Sequence, residues 1–328
     1  MFGRRAVGIL AGYLADQILG DPRRGHPVAG FGTAAAALER PLYRDSRWAG
    51  AVYTGVLVGG AGLLGGALTG AAGVAAATWV ALGGRSLSAT GARMADLLEA
   101  DDLDGARALL PSLCGRDPEF LDGAGLARAA LESIAENTSD AHVAPLMWAA
   151  VAGAPGVLAY RAVNTLDAMV GNFSPRYARF GWAAARLDDV ANYVGARVGG
   201  LLTVACAPLV GGSPRGAARA WFHDAAQHPS PNAGVVEAAF AGALEVRLGG
   251  PTQYRHELQI RPTLGDGRIP QVADLRRAVV LSRWVQLAAA VLAVSVASRT
   301  GRRACLRPSA RCRLPRSARR LRGRAGAL

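Results

Sequence analysis

The chain has 328 residues, of which 51% are hydrophobic and only 19% charged; a soluble domain carries about a quarter charged residues, so this composition leans towards the membrane class. The net charge of +13 excludes a basic binding face once it is located: there is no lysine, and eleven of the 37 arginines (Arg299 to Arg324) follow the last apolar segment with no acid among them, leaving +2 for everything before. Forty-two glycines without a Gly-X-Y period exclude a collagen-like repeat and suit close helix–helix approach in a bilayer.

The stretch Met1 to Asp21 places arginines before an apolar run, as a signal peptide does. Asp16 interrupts it and no convincing cleavage site follows, so it reads as a retained helix over Val7 to Leu19, stopped by Gly20-Asp21-Pro22. Phe31 to Leu42 is an amphipathic helix. Ala51 to Gly84 holds no charge over 34 residues, more than the roughly 20 that one crossing needs. It is either one tilted span or a hairpin of two short ones broken around Gly65-Gly66. Arg85 to Leu131 is polar and helical in pattern, with Asp101-Asp102-Leu103-Asp104 and Gly115-Arg116-Asp117-Pro118 as turns or caps around Ala106 to Leu113.

Val143 to Tyr160 is apolar but carries Pro145 and Gly153-Ala154-Pro155-Gly156, which favours a broken or re-entrant element, since irregular backbone at depth needs protein or water around it. Val198 to Val210 is apolar but short for a crossing. Ser213 to Arg283 is soluble-like, with turns at His228-Pro229-Ser230-Pro231, Gly249-Gly250-Pro251 and Gly265-Asp266-Gly267-Arg268. Trp284 to Ala297 is the final apolar segment, and Trp284 suits an interface anchor. Strand signals are weak throughout. The expected fold is therefore all-α: a polytopic integral membrane protein with cytosol-facing helical segments. Its membrane domain spans residues 1–298 and an Arg-rich disordered tail spans 299–328, on the cytoplasmic side by the positive-inside bias and too like-charged to fold alone. Cys114, Cys206, Cys305 and Cys312 form no zinc-ribbon spacing and no disulfide framework.

Polar chemistry concentrates between Glu132 and Asp189. Glu132 and Glu136 are spaced i, i+4 and share one helix face, which Asp140 extends by a turn. Like charges at this spacing destabilise an isolated helix, so either the face is solvated and paired with Arg128 or a cation is bound. Hard cations such as Mg²⁺ take oxygen ligands and bridge carboxylates to phosphates. Asn137 stands beside these acids. Asn164 and Asp167 share a face at i, i+3, as a site or as a polar seam. Arg186, Asp188 and Asp189 follow; adjacent aspartates point apart on a helix, so an Arg–Asp pair plus an exposed acid is the plain reading. Asp21 and His26 sit in a turn, and Asn232 is placed to N-cap a helix carrying Glu237. There is no Walker A motif and no dinucleotide fingerprint.

Jointly the segments match a family. Leu19-Gly20-Asp21-Pro22 with His26-Pro27, Ala129 to Asn137 with Ser139-Asp140, Ala159 to Gly171, Phe180 to Asp189, Ser230-Pro231-Asn232-Ala233-Gly234, Arg247-Leu248-Gly249-Gly250 and Gly265-Asp266-Gly267-Arg268 occur in order between Ala6 and Ala297. In these the chain resembles the CobD/CbiB cobalamin-biosynthesis proteins of the membrane.

The resemblance implies a multi-pass protein of the cell membrane with its active site at the cytoplasmic face. It also implies an amide ligation of aminopropanol or its phosphate to a propionate of cobyric acid, giving cobinamide or its phosphate. ATP as driver and Mg²⁺ are expected with it, as are contact with membrane lipid, no nucleic acid, and a complex with other corrinoid enzymes. The resemblance marks positions without assigning roles; from residue chemistry, Glu132, Glu136, Asp140, Asp188 and Asp189 are the expected catalytic residues, with Glu136, Asp140 and Asp188 near the metal. Asp21, His26, Asn137, Asn164, Asp167, Arg186 and Asn232 are expected to bind substrate. The alternative is a non-catalytic AmpE-like membrane sensor, which the density of acids and asparagines in matched positions disfavours.

Overall fold

A computed structural model describes residues 3–22, 25–171, 174–254 and 257–305. The first helix, α1 (Arg4–Leu19), ends at Gly20, whose φ of +63° suits a residue without a Cβ. It runs against α4 (Gly70–Ala81), and the spacing Gly8-x-x-x-Gly12 is the reason the two backbones meet: a Cβ on Gly8 or Gly12 would lie 2.6 Å or 2.7 Å from the carbonyl oxygens of Ala71 and Ala75. Helix α2 (Pro27–Leu42) starts with proline at its first position, and the His26 ring accepts the Val28 N–H at 3.1 Å. Helix α3 (Arg47–Ala67) joins α4 through a turn at Leu68-Thr69. The uncharged Ala51–Gly84 segment is thus two helices, broken just beyond the Gly65-Gly66 pair, the first of them long enough to cross on its own.

Helices α5 (Gly84–Glu99) and α6 (Leu103–Leu109) lead to α7 (Gly123–Thr138), N-capped by Asp122, which accepts the Gly125 N–H at 2.7 Å. A π-helical segment, Ser139–Val143, continues directly into α8 (Ala144–Leu166), and a second, Asp167–Gly171, follows it. This is not one straight rod. Gly153 breaks α8 at φ +67°, ψ −151°, and the Tyr160 hydroxyl sits 2.7 Å from the Asp140 carbonyl oxygen. Twenty residues of straight helix would separate the two by about 30 Å. The chain folds back at Gly153, with Pro155 opening the return leg. The re-entrant element expected from Gly153-Ala154-Pro155-Gly156 is a helical hairpin. Arg5 donates to the carbonyls of Ala150 and Val151 (3.2 Å and 2.8 Å), satisfying groups that the break leaves without intrahelical partners.

Helix α9 (Trp182–Cys206) extends sixteen residues further towards the N-terminus than the apolar run beginning at Val198, so it is not short for a crossing. After α10 (Pro214–Asp224), every residue of α11 (Ala233–Leu244) is buried, which makes this apolar helix an internal element and not a surface one. The all-α reading has one exception, an antiparallel hairpin of β1 (Leu248–Tyr254) and β2 (Glu257–Leu264). Gly249-Gly250-Pro251 is not a turn. It lies within β1, at a register irregularity where both glycines have positive φ (+79° and +84°). The last helix, α12 (Val272–Cys305), is longer at both ends than its apolar core and carries on beyond residue 298. Residues 306–328, and with them most of the Arg-rich tail and Cys312, lie outside the described residues.

Among the described residues, four helical stretches are long and apolar enough to cross a membrane: Arg47–Ala67, Gly123–Gly171 (which contains the hairpin), Trp182–Val210 and Val272–Arg299. Val52, Val56, Leu63 and Leu64 on α3, Val190 and Val194 on α9, and Trp284 and Val291 on α12 are exposed. Such apolar surface on the outer helices is what a lipid-facing sheath presents.

Candidate active site

Glu132 lies on the inner face of α7 and is 2% exposed. It pairs with Arg116 from the loop after α6, not with Arg128, and accepts the Gly249 N–H at 2.8 Å. Arg128 instead donates to the carbonyls of Gly249 and Pro251 at 2.6 Å and 2.7 Å. The two side chains clamp β1 onto α7 from either side. Glu132 is therefore neither solvated nor paired with Arg128, and its carboxylate is engaged in holding the fold.

One turn on, Glu136 is partly exposed and lies within electrostatic reach of Glu132, Arg116 and Arg261 of β2. Glu237 of α11 faces the same group. Burial pushes the Glu237 carboxyl well above the ordinary carboxylate range, with Glu132 and Glu136 adding to the rise, and burial holds the His228 imidazole below its usual value. Their side chains approach to 3.9 Å, and burial favours the neutral form of each.

The second half of the site forms where the open ends of the Gly153 hairpin meet α9. The Tyr160 hydroxyl, 2.7 Å from the Asp140 carbonyl, is also 2.6 Å from Asn192 Oδ1. Asn192 Nδ2 donates to Asp188 at 2.9 Å, and Asp188 also accepts from Asn164 at 3.5 Å. Arg161 reaches Asn164 Oδ1 at 3.4 Å and lies within electrostatic reach of Asp21 and Asp140. The Asp140 carboxyl senses Asp188, Glu136 and Asp167, and Asp167 senses Asp188, Asp189 and Glu136. Glu136 is the link between the two halves.

Other expected residues stand around this centre. Asp21 contacts His26 at 3.4 Å in the loop before α2. Asn137 donates back to the Ser133 carbonyl at 3.0 Å. Arg186 and Asp189 form the plain i, i+3 pair at 3.2 Å on the exposed side of α9. Asn232 occupies the N-cap position of α11, but its side chain makes no capping bond. It accepts from Arg197 at 2.7 Å and donates to the Asp189 carbonyl at 2.8 Å, locking α9 to α11. The expected metal trio Glu136, Asp140 and Asp188 is not preassembled: among the described residues no three His, Cys, Asp or Glu side chains form a group that could hold a metal ion.

Sequence reasoning missed Arg116, Arg261, Glu237, Tyr160, Arg161 and Asn192. Asn192 had a signal, since it follows Asp188 at i, i+4 on one face of α9. Arg116 and Arg261 had none, because only the folded chain brings the loop and the β-hairpin to α7.

A helical bundle with four crossing-capable stretches among the described residues and an interior network of carboxylates and amides marks a polytopic membrane-type protein with a polar site. The chain belongs to the CobD/Cbib protein family, whose model matches residues 9–282. It is 69% identical to the cobalamin biosynthesis protein CobD of Mycobacterium tuberculosis H37Rv, over 90% of this chain and 96% of that protein. The CobD proteins of Geobacter metallireducens (44% identity; 83% and 90%) and of a Rhodobacter capsulatus strain (43%; 85% and 91%) are similar over comparable spans. No solved structure matches the chain.

Proposed function

We propose that this protein acts in cobalamin biosynthesis as an amide ligase, joining aminopropanol or its phosphate to a propionate of cobyric acid in an ATP-driven step at the cytoplasmic face of the cell membrane. Membership of a family named for cobalamin biosynthesis supports the pathway. The observation that carries the catalytic reading is the convergence of Glu136, Asp140, Asp167 and Asp188 with Asn164 and Asn192 at the mouth of the hairpin. So many carboxylates around so few guanidiniums suit a cationic reactant, and the aminopropanol ammonium is one.

Condensing a carboxylate with an amine in water is uphill. Phosphoryl transfer from ATP to the propionate makes an acyl phosphate, and the deprotonated amine then displaces phosphate. Magnesium, when bound, would neutralise phosphate charge; it needs only one or two protein carboxylates because phosphates and water fill its other positions, and Asp140 and Asp188 fit that share with Glu136 behind them. Asp167 or Asp189 is the candidate base for the ammonium. Asn164 and Asn137 present amide groups for corrin side chains, and Arg186 a guanidinium for phosphate. Glu132 and Asn232 position the site by holding β1 and α11, and Tyr160 and Asn192 fix Asp188. The deciding experiment is turnover of cobyric acid by membranes bearing the protein, with each amine, with and without ATP and Mg²⁺. The expected result is cobinamide or its phosphate only when both are added; no corrinoid product with either amine would overturn the assignment.

A further inference from the structure

Beside the carboxylate cluster, α2, α3, α4 and the return leg of α8 border a half-open cavity of about 410 Å³, a size typical of small-ligand pockets. Val56, Gly60 and Leu64 of α3 line one wall and Ala77 and Val80 of α4 another, and among the described residues the only charged residue lining it is Arg161. Arg161 Nε is buried without a hydrogen-bond partner, an unusual state for a cationic donor. Among the described residues its guanidinium makes one long hydrogen bond, to Asn164 at 3.4 Å.

The cavity has a polar end and an apolar end. Helix α3 runs antiparallel to the return leg: Gly65 meets Pro155, Gly62 meets Ala159, and Arg161 and Thr165 lie further along, towards Leu57. The first turn of α2 also lines the cavity, at Pro27 and Val28, bringing the positive end of a helix dipole to it. From Leu57 to Leu68 the cavity follows α3 for about 16 Å. Helix α3 is crossing-capable and exposes Val52, Val56, Leu63 and Leu64, so this wall faces hydrocarbon.

We propose that the cavity is a seat for an anionic phospholipid, with the headgroup phosphate on Arg161 and an acyl chain along α3 towards Leu68. Charge selects the occupant. A neutral chain gains nothing from a buried guanidinium, and a free phosphate leaves the apolar length of the cavity empty. The inference rests on the membrane placement of α3; Arg161 is shared with the polar site, where Asp21 and Asp140 lie within its electrostatic reach, so the test reads lipid retention and not turnover.

The test is native mass spectrometry of the detergent-purified full chain with added phosphatidylglycerol or phosphatidylcholine. One phosphatidylglycerol should be retained per chain, at least tenfold in preference to phosphatidylcholine. Gly60→Leu should abolish retention, because a Cβ at Gly60 meets nothing within 4 Å and the added side chain fills the cavity without moving the backbone. Gly66→Leu, at a position equally open but outside the cavity, should retain the lipid. Arg161→Gln should erase the preference between the two lipids. Equal retention of both lipids by the unmodified chain, or undiminished phosphatidylglycerol on Gly60→Leu with an unchanged circular dichroism spectrum, would overturn the proposal. So would protection of Arg161 from a guanidine-reactive reagent by inorganic phosphate but not by phosphatidylglycerol vesicles.

Discussion

Replacing Glu132 with glutamine separates holding the fold from doing chemistry. Arg116 and Glu132 are 7% and 2% exposed, so the substitution leaves a guanidinium buried against a neutral amide. Breaking a buried pair by removing one charge costs about 3–5 kcal/mol. Two features set the figure near the lower end. The amide oxygen can still accept the Gly249 N–H, sparing the roughly 1–3 kcal/mol of an orphaned buried donor, and Glu136 remains within electrostatic reach of Arg116. Glu132→Gln is therefore expected to lose about 3 kcal/mol of unfolding free energy in a denaturant titration in mixed micelles. Arg116→Met combined with Glu132→Leu should recover most of that loss, because the pair is replaced by apolar volume. Turnover by Glu132→Gln should fall only as far as the folded fraction falls. A single variant within about 1 kcal/mol of the parent, or a double variant as unstable as the sum of the singles, would refute the clamp.

Asp140→Asn and Asp188→Asn should each lower turnover by about 10²-fold or more while the unfolding midpoint holds or rises, since each relieves like-charge crowding; retained turnover in both would remove the hairpin mouth as the reaction site. Gly153→Ala should cost about 1–3 kcal/mol, because φ +67°, ψ −151° lies in a region essentially reserved for glycine; an unchanged unfolding free energy would mean the fold-back is not set there. Burial pushes Asp16 from its ordinary 3.8 up to about 6, so the folded state holds this proton more tightly than the unfolded chain. Its contribution is fully present below about pH 4 and is lost as pH rises through 6, by up to about 3 kcal/mol. Asp16→Asn should flatten that dependence, and a stability difference from the parent that stays constant between about pH 4 and 7 would count against it.

What the sequence disclosed is local in kind. Gly153 with Pro155 marked a break, His26-Pro27 marked a helix start, and Asn164 with Asp167 marked a shared face, because each rests on neighbours within a turn or two. The partners that decide the site come from far along the chain. Arg116 reaches Glu132 from a loop that read as a simple turn, and Gly249, also read as a turn, supplies the N–H that the same carboxylate accepts. The β-hairpin escaped notice because its residues Leu248 to Leu264 carry little alternation and no pairing signal of their own; α7 and α11 give it a surface to lie on. Arg128 was placed opposite Glu132 by helical spacing, yet its guanidinium turns to backbone carbonyls that no spacing rule could foresee.

The two π-helical segments tie these local and distant contributions together. Each is a one-residue widening of a helix, a feature that occurs often at functional sites. Here Asp140 lies in one and Asp167 opens the other, and they bracket the Gly153 hairpin on either side. An ordinary helix through Ser139–Val143 would put Asp140 on a face set by its α7 neighbours Glu132 and Glu136, extending one acidic stripe. The widened turn breaks that register, frees the Asp140 carbonyl for the Tyr160 hydroxyl and brings its carboxyl into the field of Asp188. The hairpin then returns the chain so that Asp167 joins from the opposite direction. The acidic block is thus two short stripes bent towards each other, with Glu136 on one, Asp188 on a third helix, and a glycine at the fold between them. Its charge is concentrated by backbone geometry, and the cationic reactant proposed for it would be met from three sides at once.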